Sequence, residues 1–333
     1  MKKERSECIR VFSNKTLLYP QSRFFGKILF SFAVLCTAAV PNFVLAEEAG
    51  SLSEALSKGK VSLDVRYRYE RVDQDNIPKK AHGSTLRSRL GYETAVFKGV
   101  SGKLEFEDVS VIGNEQYNSS ANGKTQYPIV ADPEDTEINQ AYLQFTGVEG
   151  LTLTGGRQRI KLDNERFIGN VGWRQNEQTF DAIRLAVSPI EGLTGTYVYI
   201  ENVNRVFGTH HPSKTGMSLS AASANLLMSS HVIHAAYTNM PMLNVSLYGY
   251  LLDFDDVPAA SNKTLGLRLT GAVPVGGDMK LLYTAEYADQ SDYADGASTI
   301  DADYSLFELG ASAKGATMKF SREVLGGVGV YAF

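Results

Sequence analysis

From residue 60 onward, apolar and polar side chains alternate along most of the chain. In residues 60–71, Val61, Leu63, Val65, Tyr67 and Tyr69 hold one set of alternate positions, and Ser62, Asp64, Arg66, Arg68 and Glu70 hold the other. Side chains in a strand flip faces at each residue, so a period of two predicts an extended segment with one apolar and one polar face. Residues 85–97 repeat the pattern, with Leu86, Leu90, Tyr92 and Val96 set against Arg87, Arg89 and Glu93. Residues 103–109 set Leu104 and Phe106 against Lys103, Glu105 and Glu107, and residues 137–146 set Ala141, Leu143 and Phe145 against Gln140, Tyr142 and Gln144. The rhythm continues through 179–188, 194–202, 230–238, 243–252, 263–273, 279–288, 303–313 and 315–325, although 243–252 is apolar or aromatic on both faces. Across 150–162 the phase changes. A bulge at Gly155-Gly156 that inserts one residue would restore a single apolar face of Leu151, Leu153, Ile160 and Leu162. About 12–14 strands are readable in this way, with no amphipathic helix beyond a turn or two near residues 53–58.

The connections have two lengths. Residues 147–150, 189–192 and 274–277 are short turns rich in Gly and Pro. Residues 110–135, 163–177, 203–228 and 288–302 are long and polar, and long and short connections roughly alternate. The polar faces carry Arg66, Arg68, Arg87, Arg89, Arg157, Arg159, Lys161, Arg184 and Arg268. Packed into a dry core, each such charge would cost several kcal/mol unless paired or solvated. A transmembrane antiparallel β-barrel resolves the conflict, because its apolar face meets lipid, its polar face lines a wet interior, and short periplasmic turns alternate with long outer loops. The expected class is therefore all-β, with aromatic residues such as Tyr67, Tyr69, Tyr92, Phe106, Phe145 and Tyr287 suited to the membrane interfaces.

The first residues differ in kind. Lys2, Lys3, Arg5, Arg10, Lys15, Arg23 and Lys27 precede an apolar run from Ile28 to Val40, and Val44-Leu45-Ala46 offers small residues for cleavage. These are the parts of a secretory signal, so residues 1–46 are expected to be a signal peptide, 47–59 a short periplasmic segment and 60–333 the barrel. Both cysteines, Cys8 and Cys36, fall in the leader, which leaves the exported chain without disulfide or thiolate chemistry. Removing the basic leader also makes the remainder more acidic than the formal net charge of -4, which argues against nucleic acid as a partner.

Residues 155–181, GGRQRIKLDNERFIGNVGWRQNEQTFD, strongly resemble the alginate export family of outer-membrane barrels and its porin-like relatives. LRSRLGYETAVFKGVSGKLEFED at 86–108 and DPEDTEINQAYLQF at 132–145 fit as well, and from 229 onward the likeness rests on strand rhythm. The resemblance implies a bacterial outer-membrane channel with a basic lumen that passes an anionic poly- or oligosaccharide such as alginate. It also implies lipid or lipopolysaccharide and the barrel-assembly machinery as partners. Relatives are generally longer. Tyr331 and Phe333 imitate a terminal aromatic strand, but Gly326, Gly327 and Gly329 weaken it, so a shortened chain or a smaller closed barrel is expected.

The nine basic residues above are the candidate pore lining, because guanidinium forks suit carboxylates. The alternative role for each is to pair with Asp64, Glu70, Glu93, Glu105, Glu107 or Asp181 and brace the wall. Asp163, Arg166, Trp173, Arg174, Gln175, Asn176 and Asp181 are candidates for a loop that folds inward, with Trp173 stacking on a sugar ring; the bland alternative is a loop anchored to the wall. No cofactor is expected. Asp253, Asp255 and Asp256, and Asp289, Asp292, Asp295, Asp301 and Asp303, form acidic clusters that suit solvated loops better than Ca²⁺, since their spacing is not that of an EF-hand. His210-His211 is a weak metal signal. A rival class is an outer-membrane hydrolase built on His231 and His234 near Ser229 and Ser230, although no Gly-x-Ser-x-Gly or His-Glu-x-x-His motif supports it. A non-conducting structural or adhesive barrel is a further alternative.

Overall fold

The structure is a computed structural model that describes residues 48–211 and 222–327, and the backbone alone of residues 4–13 and 32–33. Most of the expected leader's apolar run, its expected cleavage site, part of the 203–228 loop, and Tyr331 and Phe333 therefore lie outside the described residues.

Thirteen antiparallel strands run in chain order through one sheet. They are β3 (Lys60–Val72), β4 (Ala81–Glu93), β5 (Val100–Val111), β6 (Asp135–Val148), β7 (Leu151–Gln158), β8 (Thr179–Ile190) and β9 (Leu193–Asn204). The remainder are β10 (Asn225–Met240), β11 (Leu243–Leu252), β12 (Asn262–Gly276), β13 (Met279–Asp292), β14 (Asp301–Ala313) and β15 (Ala316–Gly327). Two segments of the expected leader add to the edges: β1 (Glu4–Ser13) pairs with β15, and β2 (Phe32–Ala33) pairs with β3. The single helix α1 (Leu52–Ser57) is capped by Ser51, whose hydroxyl accepts from the Glu54 amide. Its neighbourhood is tied to the β4–β5 turn, with Ala49 N donating to Val96 O at 2.8 Å and Ala95 N to Ala55 O at 3.0 Å.

The chain forms two compact units. One holds residues 24–185 and 200–228, the other residues 1–23, 186–199 and 229–333. Both invert the burial rule of a soluble protein. In the first, Val61 and Leu63 are each 71% exposed while Arg87 on the polar face is 4% exposed and Glu107 1%. In the second, Leu247, Leu265 and Phe307 stand exposed while Tyr248, Tyr250 and Glu286 are buried. The segment 243–252 that read as apolar on both faces is thus β11 with two tyrosines on its buried face. A small apolar cluster of Ala81, Tyr117 and Val130 lies at the long-loop end of the first unit, where Tyr117 Oη donates to Asp132 O at 2.8 Å.

The phase change near residue 155 has a different origin from the expected bulge. β6 and β7 stay in register from Phe145↔Leu153 to Ala141↔Arg157, and the shift falls between Phe145 and Val148. Gly156 instead takes φ +124°, and a Cβ there would collide with the backbone of Ala141 and Tyr142. Ile160 and Leu162 lie beyond β7 and are buried, so they do not extend the Leu151–Leu153 face. The bulge that matters is one strand earlier. Glu105 pairs with Gln140 and Phe106 with Ile138, which leaves Asn139 as the extra residue. Asn139 and Gln140 are both buried, while Ile138 joins the exposed apolar face.

Candidate functional site

The β3–β4 register sets Arg66 directly opposite Arg87, and Asp64 opposite Arg89. Like charges face to face destabilise a sheet. The side chains escape the conflict by turning to different partners. Arg87 pairs diagonally with Asp64, and Arg89 pairs with Glu107 and, at 3.4 Å, with Glu177. Arg66 turns to the 159–178 loop, where Nε donates to Gln175 Oε1 at 2.8 Å and Nη1 to Gly172 O at 2.9 Å, with Nη2 on Arg174 O.

The loop is sewn to the polar face through three buried residues. Gln175 Nε2 donates to Thr85 O at 3.0 Å and Thr85 Oγ1 at 2.9 Å, and its backbone N–H donates to Asp132 Oδ1 at 2.9 Å. Asn176 Nδ2 donates to Pro133 O at 3.0 Å. Glu177 accepts from Asn139 Nδ2 at 2.6 Å, from Asn170 Nδ2 at 2.7 Å, and from Arg159 Nε. Arg159 Nη2 also reaches Glu105 at 2.5 Å, and Glu105 accepts from Asn139 at 2.8 Å and Gln140 at 3.1 Å. The β6 bulge is what aims both amides at that carboxylate.

Trp173 is 59% exposed at the tip of this arrangement. The Arg174 guanidinium carbon lies 4.0 Å from its ring centroid and that of Arg68 lies 5.1 Å away. Arg68 pairs with Glu70 and lies 3.5 Å from Asp132, and Arg174 lies 3.4 Å from Glu70. Burial lowers the affinity of the Arg174 guanidinium for its proton, and the carboxylates of Asp132 and Glu70 oppose that effect.

The remaining candidates separate. Arg157 makes a two-pronged pair with Asp181, at 2.8 and 3.2 Å, and Asp181 also accepts from the buried Asn202 Nδ2 at 3.0 Å. Arg268 pairs with Glu286, and Lys161 pairs with Glu165 at 2.7 Å on an exposed loop. Arg184 sits on the polar parity of β8 and carries no ion pair among the described residues. Asp163 and Glu165 take positive φ in the same loop, and Arg166 N donates to Asn164 Oδ1 at 3.2 Å. Pairing thus engages seven of the nine candidate lining residues, Arg66 holds a loop, and Arg184 remains open. Thr85, Asp132, Asn139, Asn170 and Glu177 were not singled out in the sequence. The adjacent polar pair Asn139-Gln140 within an alternating strand was the one signal that could have found them.

The hydrolase candidates are not assembled. His231 and His234 are three residues apart in β10 and so face opposite sides. Ser230 Oγ donates to Asp253 O at 3.1 Å, and Ser229 Oγ to Asp255 at 3.2 Å. Among the described residues no three His, Cys, Asp or Glu side chains converge as metal ligands would. His210 Nδ1 lies 3.1 Å from Asp135, which also binds Thr209.

Comparison with known proteins supplies the context. The family model described as alginate export matches residues 58–320. Pseudomonas aeruginosa OpdL superposes with a TM-score of 0.56 at 18% identity, over 81% of this chain and 66% of that one. Acinetobacter baumannii OccAB3 gives 0.65 at 13%, over 83% and 69%, and A. baumannii OccAB1 gives 0.62 at 16%, over 86% and 69%. These are outer-membrane porins, and the chain spans about two thirds of their length. No curated protein matches the chain in sequence. With its fold that of outer-membrane β-barrel porins and its family model matched over residues 58–320, from the start of β3 into β15, the chain belongs to the alginate export family of porin-like outer-membrane channels.

Proposed function

We propose that this chain acts as an outer-membrane channel for anionic solutes, with uronate-type oligosaccharides such as alginate as the favoured class. The observation that carries the reading is the exposed Trp173 ring with the guanidiniums of Arg174 and Arg68 beside it. An indole face suits the apolar face of a pyranose, and adjacent guanidiniums suit its carboxylate. Arg184 adds an uncommitted positive charge on the same polar side of the sheet. One of the similar solved structures, P. aeruginosa OpdK, was determined with vanillate, a small carboxylate, bound to that protein.

The geometry changes which residues should set selectivity. Arg87, Arg89, Arg157, Arg159 and Arg268 each hold a carboxylate partner, so their net field at a distance is small. Arg184 and Trp173 are the residues assigned to solute contact, while Arg174 shares Glu70 with Arg68 and holds the indole in place. Planar-bilayer recordings of the full chain should show discrete conductance steps and a reversal potential on the anion side. An oligouronate should block the current, and a neutral oligosaccharide of equal length should not. Trp173→Ala should weaken that block about tenfold, as loss of ~1.4 kcal/mol of stacking requires. Cation selectivity, or equal block by both sugars, would overturn the proposal.

A further inference from the structure

The same cross-strand pair occurs twice on the apolar face. In the first unit Tyr69 Oη and His82 Nδ1 lie 2.7 Å apart, with ring centroids 6.2 Å apart. In the second, Tyr197 Oη and His231 Nδ1 lie 2.8 Å apart with centroids at 6.0 Å, and Tyr199 lies 5.4 Å from the same imidazole. Both tyrosines are exposed. Each histidine is engaged through Nδ1, and its Nε2 has no hydrogen-bond partner among the described residues.

Both pairs share a row with a cation. Arg71 stands directly across from His82. Lys263 pairs with Leu251, which pairs with His231, so Lys263 lies two strands or about 10 Å along the row. Neither Arg71 nor Lys263 has an ion pair among the described residues. Each row lies near the ends of the strands of its own unit. Arg71 and His82 are one position from the ends of β3 and β4, and Leu251 and Lys263 are one position from the ends of β11 and β12, at the long-loop side in each case. Two outward positions below Lys263, a groove of about 300 Å³ opens on the same face, lined by Leu267, Leu269, Tyr287 and Phe307, with Arg322 across from Phe307 at its edge.

An unpaired cation at the border of a lipid-facing surface needs a counter-charge, and Tyr and His rings suit that border because one end is apolar and the other wet. We propose that the two rows are docking sites for phosphate-bearing lipids of the outer leaflet. The lipid phosphate accepts from the histidine Nε2–H and from the nearby Arg71 or Lys263. At the second site an acyl chain occupies the groove below. Asp255, held by Ser229 two residues along β10 from His231, keeps the phosphate on the Lys263 side. This inference needs only that the apolar face meets lipid, and it is independent of what the channel conducts.

Native mass spectrometry of the full chain in detergent, titrated with dioleoyl phosphatidic acid, tests it. Two lipids should bind, while dioleoylglycerol, which lacks the phosphate, should not. His231→Gln with Lys263→Gln should weaken one site at least tenfold, and Arg71→Gln with His82→Gln the other. Lys263→Arg should retain binding, and heat-modifiable migration on gels reports that each variant is folded. Single-channel conductance should be the same in all of them. Equal binding of dioleoylglycerol, undiminished binding by folded double variants, or full displacement by millimolar inorganic phosphate would each overturn the proposal, the last by showing a free-anion site in place of a lipid site.

Discussion

At the scale of single residues, most of the arginines hold the wall together. Glu177 shows why. It is buried and faces Arg89 and Arg159, so its removal takes one of two carboxylate partners from each guanidinium. Glu177→Ala is expected to destabilise the protein by about 3–5 kcal/mol, the usual cost of breaking one partner from a buried charge network; denaturant unfolding in detergent measures it. Gln175 is uncharged, yet it is fully buried and serves Arg66, Thr85 and Asp132 together. Gln175→Ala should cost about 1–3 kcal/mol through the unsatisfied groups it leaves, and it should release the loop locally. Trypsin should then cut after Arg166 or Arg174 at least tenfold faster than in the parent; an unchanged rate would show that the loop is held by other means. By contrast Arg184→Gln should leave stability unchanged and shift the reversal potential away from anions, since no partner is lost. The residue types at these positions were legible in the sequence, including the Arg-x-Arg repeats. Which arginine is paired was not, because the partners lie up to 109 positions away and are set by register.

At the scale of elements, period-two alternation was enough to place every strand from β3 to β15 to within a few residues, and the β11 limits coincide with those read from residues 243–252. The method fails where a strand breaks its own period. At β6 the extra Asn139 turns two successive polar side chains to one side, which alternation alone reads as a simple phase error. At β7 the glycine pair suggested an insertion, whereas the backbone of β6 approaches so closely at Gly156 that a side chain has no room. Gly156→Ala should therefore destabilise the β6–β7 pairing by about 2 kcal/mol, from the positive φ and the steric conflict combined, and it should lower the temperature at which heat-modifiable migration is lost. Tolerance of alanine at 156 without any shift would mean that β7 can slide away from β6.

At the scale of the whole molecule, burial is inverted, and the inversion is testable because no cysteine follows Cys36 in the sequence. Adjacent residues should report opposite environments. A nitroxide on Leu247→Cys should be relaxed by dissolved oxygen in the bilayer, and one on Ser246→Cys should not share that accessibility, since Leu247 is exposed on the apolar face and Ser246 is buried on the other. Equal oxygen accessibility at the two positions would contradict a lipid-facing apolar side. The family match over residues 58–320 and the likeness to outer-membrane porins agree with this inversion.

The sequence by itself determined the class of the protein: about 12–14 alternating segments, two lengths of connection and charged faces too dense for a dry core point to a membrane barrel. Those properties are local, since each depends on a side chain and its immediate neighbours in the chain. Only the tertiary structure decided the site. Pairing register brings Arg66 onto Arg87, the bulge at Asn139 aims amides at Glu105 and Glu177, and Gln175 crosses to Thr85. Each of these depends on which strands become neighbours and by how many residues they are offset, a choice made by the energy of the whole sheet and by no single segment of it.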